Sequence, residues 1–186
     1  MQKPFLWLCG LVSLLAAGLV VYSQTLAFAW DEGYHLLAAQ LIKSGKQPYL
    51  DFCFPQTPLN AYWNALWMAV FGESWRTAHA VAAVATAGAI LLTAHFLLTR
   101  FPLPGWRLAA ALAAALIVGQ NHIVLYFGTI GQAYGLCLFL TVAAFRLSIS
   151  AVDRKGLLLP GLAGFLAGAA AASSLLTAPV APVLLL

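Results

Sequence analysis

Long apolar stretches alternate with short polar ones along most of this chain, at the spacing expected of membrane crossings. Residues 5 to 22, FLWLCGLVSLLAAGLVVY, carry no charge, and about 20 such residues cover a hydrocarbon layer roughly 30 Å thick. Comparable runs occupy 77–99, 108–127, 135–149 and 157–178. The pattern therefore predicts an all-α integral membrane protein with about five transmembrane helices, organised as a single region over 1–186. Lys3 ahead of the first run, Arg100 and Arg107 around the FPLPGW turn, and Arg146 near the end of the fourth with Arg154 and Lys155 beyond it set these ends on the cytoplasmic side. Gly128 and Gly131 predict a tight outer hairpin, and Gly164 and Gly168 a close helix contact.

The stretch from Trp30 to Leu59, WDEGYHLLAAQLIKSGKQPYLDFCFPQTPL, breaks this alternation. It opens a first outer loop, 30–76, for which two amphipathic surface helices are predicted. Tyr34, Leu37, Ala38, Leu41 and Ile42 recur at helical spacing, with Gly45 as the stop. Pro48, Pro55 and Pro58 then forbid a regular helix. Thr57 is the expected cap of the second helix and Pro58 its first residue, with Gly72 beyond its end. Leu59 to Phe71 would extend only about 20 Å, too short to cross, and Tyr62, Trp63, Trp67 and Trp75 suit an interfacial belt.

Composition narrows the class. Hydrophobic residues fill 63% of 186 positions and charged ones 8%, too little polar surface for a soluble globule. The nine basic residues are scattered, so the +4 net charge does not describe a nucleic-acid partner. Three cysteines offer no metal spacing and no complete set of disulfides. The chain stops at Leu186 inside an apolar run, and the expectation is the N-terminal part of a longer protein. A cleaved leader ending at Ala27-Phe28-Ala29 is the alternative to a first crossing. In either case Asp31 lies outside the membrane, since an Asp at the bilayer centre costs about 2.5 to 3.5 kcal/mol.

Three of the five acids, Asp31, Glu32 and Asp51, fall in the loop. Asp31 sits where a helix cap belongs and also where a catalytic carboxylate would face water. Glu32 and His35 are three residues apart, a spacing open to a metal or to a solvated helix start. Asp51 is either a turn acid or a ligand for acceptor or metal. Gln120, Asn121 and His122 cluster toward the outer end of the third run, where they either bond between helices or line the same cavity as Asp31. His79 and His95 read as packed or interfacial.

Asp31-Glu32-Gly33 directly after a first span, a helix ending in Ser44-Gly45, then Pro48-Tyr49-Leu50-Asp51, Pro55-Gln56-Thr57-Pro58-Leu59 and Phe71-Gly72 make an ordered set. This set resembles the first outer loop of the C-type (GT-C) membrane glycosyltransferases, the superfamily of protein O-mannosyltransferases and lipid A aminoarabinose transferases. The resemblance implies the N-terminal fragment of a GT-C fold that takes a sugar from a polyprenyl-phosphate carrier. The acceptor is a glycan, lipid or protein at the outer face of a membrane, with the bacterial plasma membrane as the expected location. It gives Asp31 the role of catalytic base and places Glu32, Asp51, Gln56 and His122 as candidate substrate-binding residues. The source of positive charge for the leaving phosphate is left open between residues beyond Leu186, a divalent metal, and Lys43 or Lys46. The chain departs from the pattern where many members carry an Arg about seven residues after Phe-Gly, because His79 stands there. The second hypothesis is a transporter or flippase subunit, in which the outer acids and the 120–122 cluster mark a substrate or proton path.

Overall fold

The computed structural model of the protein describes residues 2–27, 31–154 and 156–185. Phe28, Ala29, Trp30 and Lys155, which enter the expectations above, lie outside the described residues. The described chain is all-helical, and three helices are long and apolar enough to cross a membrane: α1 (Gln2–Ser23), α4 (Trp75–Arg100) and α7 (Tyr134–Val152). Between the first two lie α2 (Glu32–Lys43) and α3 (Leu59–Phe71), the two short helices expected of the loop. The remainder is α5 (Arg107–Gly119), α6 (His122–Phe127), α8 (Leu158–Ser173) and α9 (Val180–Leu185).

The core is built on small residues. Ala83, Ala87, Ile90 and Ala94 of α4 meet Leu8, Val12 and Leu19 of α1 and Ala111 and Ala115 of α5. Alanine on a helix face lets backbones approach closely, the usual means of association where burial in lipid gives no hydrophobic drive. α8 packs on α7 through Ala163, Ala167 and Ala170, whereas a side chain at Gly168 would point into open space. Gly168 therefore does not make the close contact expected of it, and the buried positions nearby are alanines. At one end of the bundle Arg100 and Asp153 form an ion pair that sets the ends of α4 and α7 level.

Two differences from the pattern matter for the site. The expected third crossing is divided: α5 stops at Gly119, and the Asn121 side chain accepts from the Ile123 and Val124 amides at 3.0 and 3.3 Å to start α6. A side chain at Gly119 would touch Leu15 and Ile90, so the break falls partway along α1 and α4. The expected outer hairpin is instead a buried irregular segment, Gly128 to Ala133. Irregular backbone at that depth needs protein partners for its amides.

The loop helices stop as expected and start otherwise. Gly45, at φ +89°, sends its N–H to the Ile42 carbonyl while Lys46 donates to Leu41, a closure that needs the left-handed region glycine reaches freely. At the start of α3 Pro58 takes the cap position and the Thr57 side chain caps nothing. Pro58 cannot continue the helix backward because it has no N–H.

Candidate functional site

The acid end of the bundle is organised by five polar side chains that touch almost no solvent: Glu32 and His79 at 0%, and His35, Asn60 and Asn64 at 2%. His79 Nδ1 lies 2.7 Å from the Ser23 carbonyl, which can only accept, so Nδ1 carries a proton. His79 Nε2 lies 2.5 Å from Glu32 Oε1. That oxygen also accepts the Gly131 N–H at 2.7 Å. Gly131 completes its pairing through its carbonyl, which receives Asn64 Nδ2 at 2.8 Å and Asn60 Nδ2 at 3.1 Å.

The second Asn60 amide hydrogen goes to His35 Nδ1 at 3.2 Å, which makes Nδ1 an acceptor and puts the ring proton on Nε2. Burial pushes His35 below its ordinary 6.5, against the opposing pull of a Gln56 hydrogen bond and of the Asp31 and Glu32 charges. Phe54 lies edge-on to the ring at 5.7 Å. The neutral imidazole thus links the buried network to the space outside it.

That space is a cavity of about 470 Å³ between the start of α2, the irregular loop and the start of α7. Asp31, His35, Tyr49, Gln56, Gln132 and Tyr134 contribute polar groups to its wall. Tyr49 holds φ at +69°, a left-handed conformation that is uncommon for a bulky residue and found at ligand clamps. Its hydroxyl donates to the Gln56 carbonyl, which fixes the loop against the cavity. Tyr134, Ser174 and Leu176 also line a second, apolar groove of about 510 Å³ with Ile123, Phe127 and Leu138. A polar chamber therefore adjoins an oily channel.

The residues singled out from sequence are distributed as follows. Asp31 stands at the cap position of α2 but its side chain makes no capping bond, and it is exposed on the cavity wall. Gln56 lines the same cavity. Glu32 is turned into the buried network and is not a solvated helix start. Asp51 accepts the Gln47 N–H at 2.7 Å as a turn acid. His122 is exposed and stacks over Tyr126 with centroids 6.2 Å apart, outside the cavity wall. Among the described residues no three His, Cys, Asp or Glu side chains converge as a metal set would.

Asn60 and Asn64 went unread in the sequence, although a signal exists. They are two amides four residues apart on an otherwise apolar helix. That spacing puts both on one side, and paired amides inside an apolar helix ask for a buried backbone partner. No family model, curated protein or solved structure matches this chain, so its chemistry has to be read from the site itself.

Proposed function

We propose that this chain is the N-terminal part of a GT-C-type glycosyltransferase that moves a sugar from a polyprenyl-phosphate carrier to an acceptor at the outer face of the plasma membrane. In this reading α1, α4, the divided α5–α6, α7 and α8 form five crossings with the N-terminus in the cytoplasm, and α2 and α3 lie at the outer boundary. The observation that carries it is Asp31: an exposed carboxylate without a capping bond, on the wall of a polar cavity that adjoins an apolar groove. A lipid-linked sugar has the same division, with a polar head and a hydrocarbon tail.

The chemistry asks little more of the protein. Asp31 takes the proton of an acceptor hydroxyl or amine, the acceptor oxygen or nitrogen bonds to the anomeric carbon with inversion, and the bond to the lipid phosphate breaks. His35 and Gln56 offer hydrogen-bonding groups for the sugar hydroxyls. Lys43, one candidate for the cation at the leaving phosphate, is paired with Glu73 at 3.0 Å. No Lys or Arg lines the cavity among the described residues.

Full-length protein in membranes, incubated with labelled polyprenyl-phosphate sugars, tests the reading. Asp31→Asn is expected to cut transfer by about 10²- to 10⁴-fold, the usual contribution of a general base, with insertion and yield unchanged. Activity like wild type in that variant removes the mechanism. The transporter reading is favoured by one observation, the interrupted helix path at Gln120–Asn121, because broken helices line many transport sites. It predicts substrate movement without consumption of lipid-linked sugar.

A further inference from the structure

The opposite end of the bundle carries a second recess, unrelated to the acid-end cavity. We infer that the notch between α1, α4 and the turn entering α5 binds the headgroup of an anionic membrane phospholipid, with Arg107 as its phosphate contact. The recess encloses about 530 Å³, with Phe5, Leu98 and Leu108 as apolar wall and His95 and Arg107 as polar wall. His95 stands sixteen positions along α4 from His79, about 24 Å at the helical rise. The two sites share no lining residue.

Arg107 is set in place for such a contact. Its Nε donates to the Phe101 carbonyl at 3.0 Å, which orients a half-buried guanidinium and leaves its outer nitrogens to form the forked pair that suits phosphate. Among the described residues it has no carboxylate partner, because Arg100 takes Asp153. His95 accepts from Arg146 Nη2 through Nδ1 at 3.3 Å, so its Nε2 is a donor, and Phe5 packs edge-on at 5.7 Å to hold the ring.

Charge and position select the ligand. Lys3, Arg100, Arg107, Arg146 and Arg154 gather at this end against one acid, Asp153. Basic recesses between transmembrane helices recognise anionic headgroups, and the apolar wall suits the attached chains. A free anion would gain nothing from Phe5, Leu98 and Leu108.

The test is a lipid titration of the full chain in mild detergent, read by native mass spectrometry, with phosphatidylglycerol, phosphatidylcholine and inorganic phosphate as probes. Phosphatidylglycerol is expected to bind about tenfold or more tighter than phosphatidylcholine, the scale of one charge-assisted contact. Arg107→Gln brings the two lipids level, Arg107→Lys keeps part of the preference, and Arg154→Gln, an exposed cation at the same end, leaves it unchanged. Equal binding of the two lipids to the unmodified chain overturns the inference. So does an equal loss in the Arg107 and Arg154 variants, or binding of inorganic phosphate as tight as that of phosphatidylglycerol.

Discussion

Glu32 and His79 each lose all contact with solvent, and an ion taken out of water carries a penalty of several kcal/mol unless its partners replace the lost hydration. Here the replacement is complete on the shared oxygen: the imidazole at 2.5 Å and the Gly131 amide at 2.7 Å. Removing either side chain breaks this buried contact, so Glu32→Ala and His79→Ala are each expected to destabilise by about 3 to 5 kcal/mol. The double variant should fall short of the sum by about 0.5 to 3 kcal/mol, measured by unfolding in detergent. His35 adds a pH dependence. Its folded-state pKa is lowered by burial, so the unfolded chain binds the proton first and stability drains as pH falls below 6.5 toward the folded value. Above 6.5 that contribution is complete. His35→Gln should flatten the acid-side loss, read as unfolding midpoints at about pH 5 against about pH 7.5. The exposure of Asp31 was legible because an acid directly after an apolar run favours water. The partner of Glu32 was not, because His79 lies 47 residues away and local spacing does not connect them.

Helices whose boundaries are set by glycine and proline were read from sequence almost to the residue. α3 spans Leu59–Phe71 with Gly72 after it, and α2 ends one residue before Ser44-Gly45. Which face each helix buries was harder to read. Tyr34 and Leu37 belong to the apolar stripe of α2 yet are 65% and 53% exposed, while Glu32 and His35 face protein. In a membrane setting an apolar face suits lipid, so amphipathicity alone does not say which side is the inside. The division of α5 from α6 was hidden for a related reason: hydropathy stays high on both sides of Gln120, and only the capping role of Asn121 marks the break. The irregular segment 128–133 depends on having no side chain at Gly131, where a Cβ would sit 2.9 Å from Glu32 Oε1 and 3.1 Å from the Ala78 methyl. Gly131→Ala should therefore cost about 1 to 3 kcal/mol through overpacking, with faster hydrogen exchange at residue 131. Gly168→Ala, in open space within α8, should instead stabilise by about 0.4 to 1 kcal/mol.

For the molecule as a whole, the apolar pattern conveyed an all-helical chain with a structured first loop and overstated how many segments have full crossing length. α4 has 26 residues and α7 has 19, and the Arg100–Asp153 pair sets one end of each level. α4 thus overshoots by seven residues, about 10 Å at the helical rise. α2, α3 and the 128–133 segment fill the space beside that overhang, so apolar residues that read as lipid-facing meet other parts of the same chain. The Gly131 contact also has a bearing on biogenesis. Its amide is 99 positions downstream of Glu32, and at about 5 to 20 residues per second of translation the ribosome needs roughly 5 to 20 s to make the intervening chain. During that interval Glu32 has not yet met the Gly131 amide. The wall of the cavity that holds Asp31 includes Gln132, Tyr134 and Leu176, so it is complete only after α1 to α4 have been made.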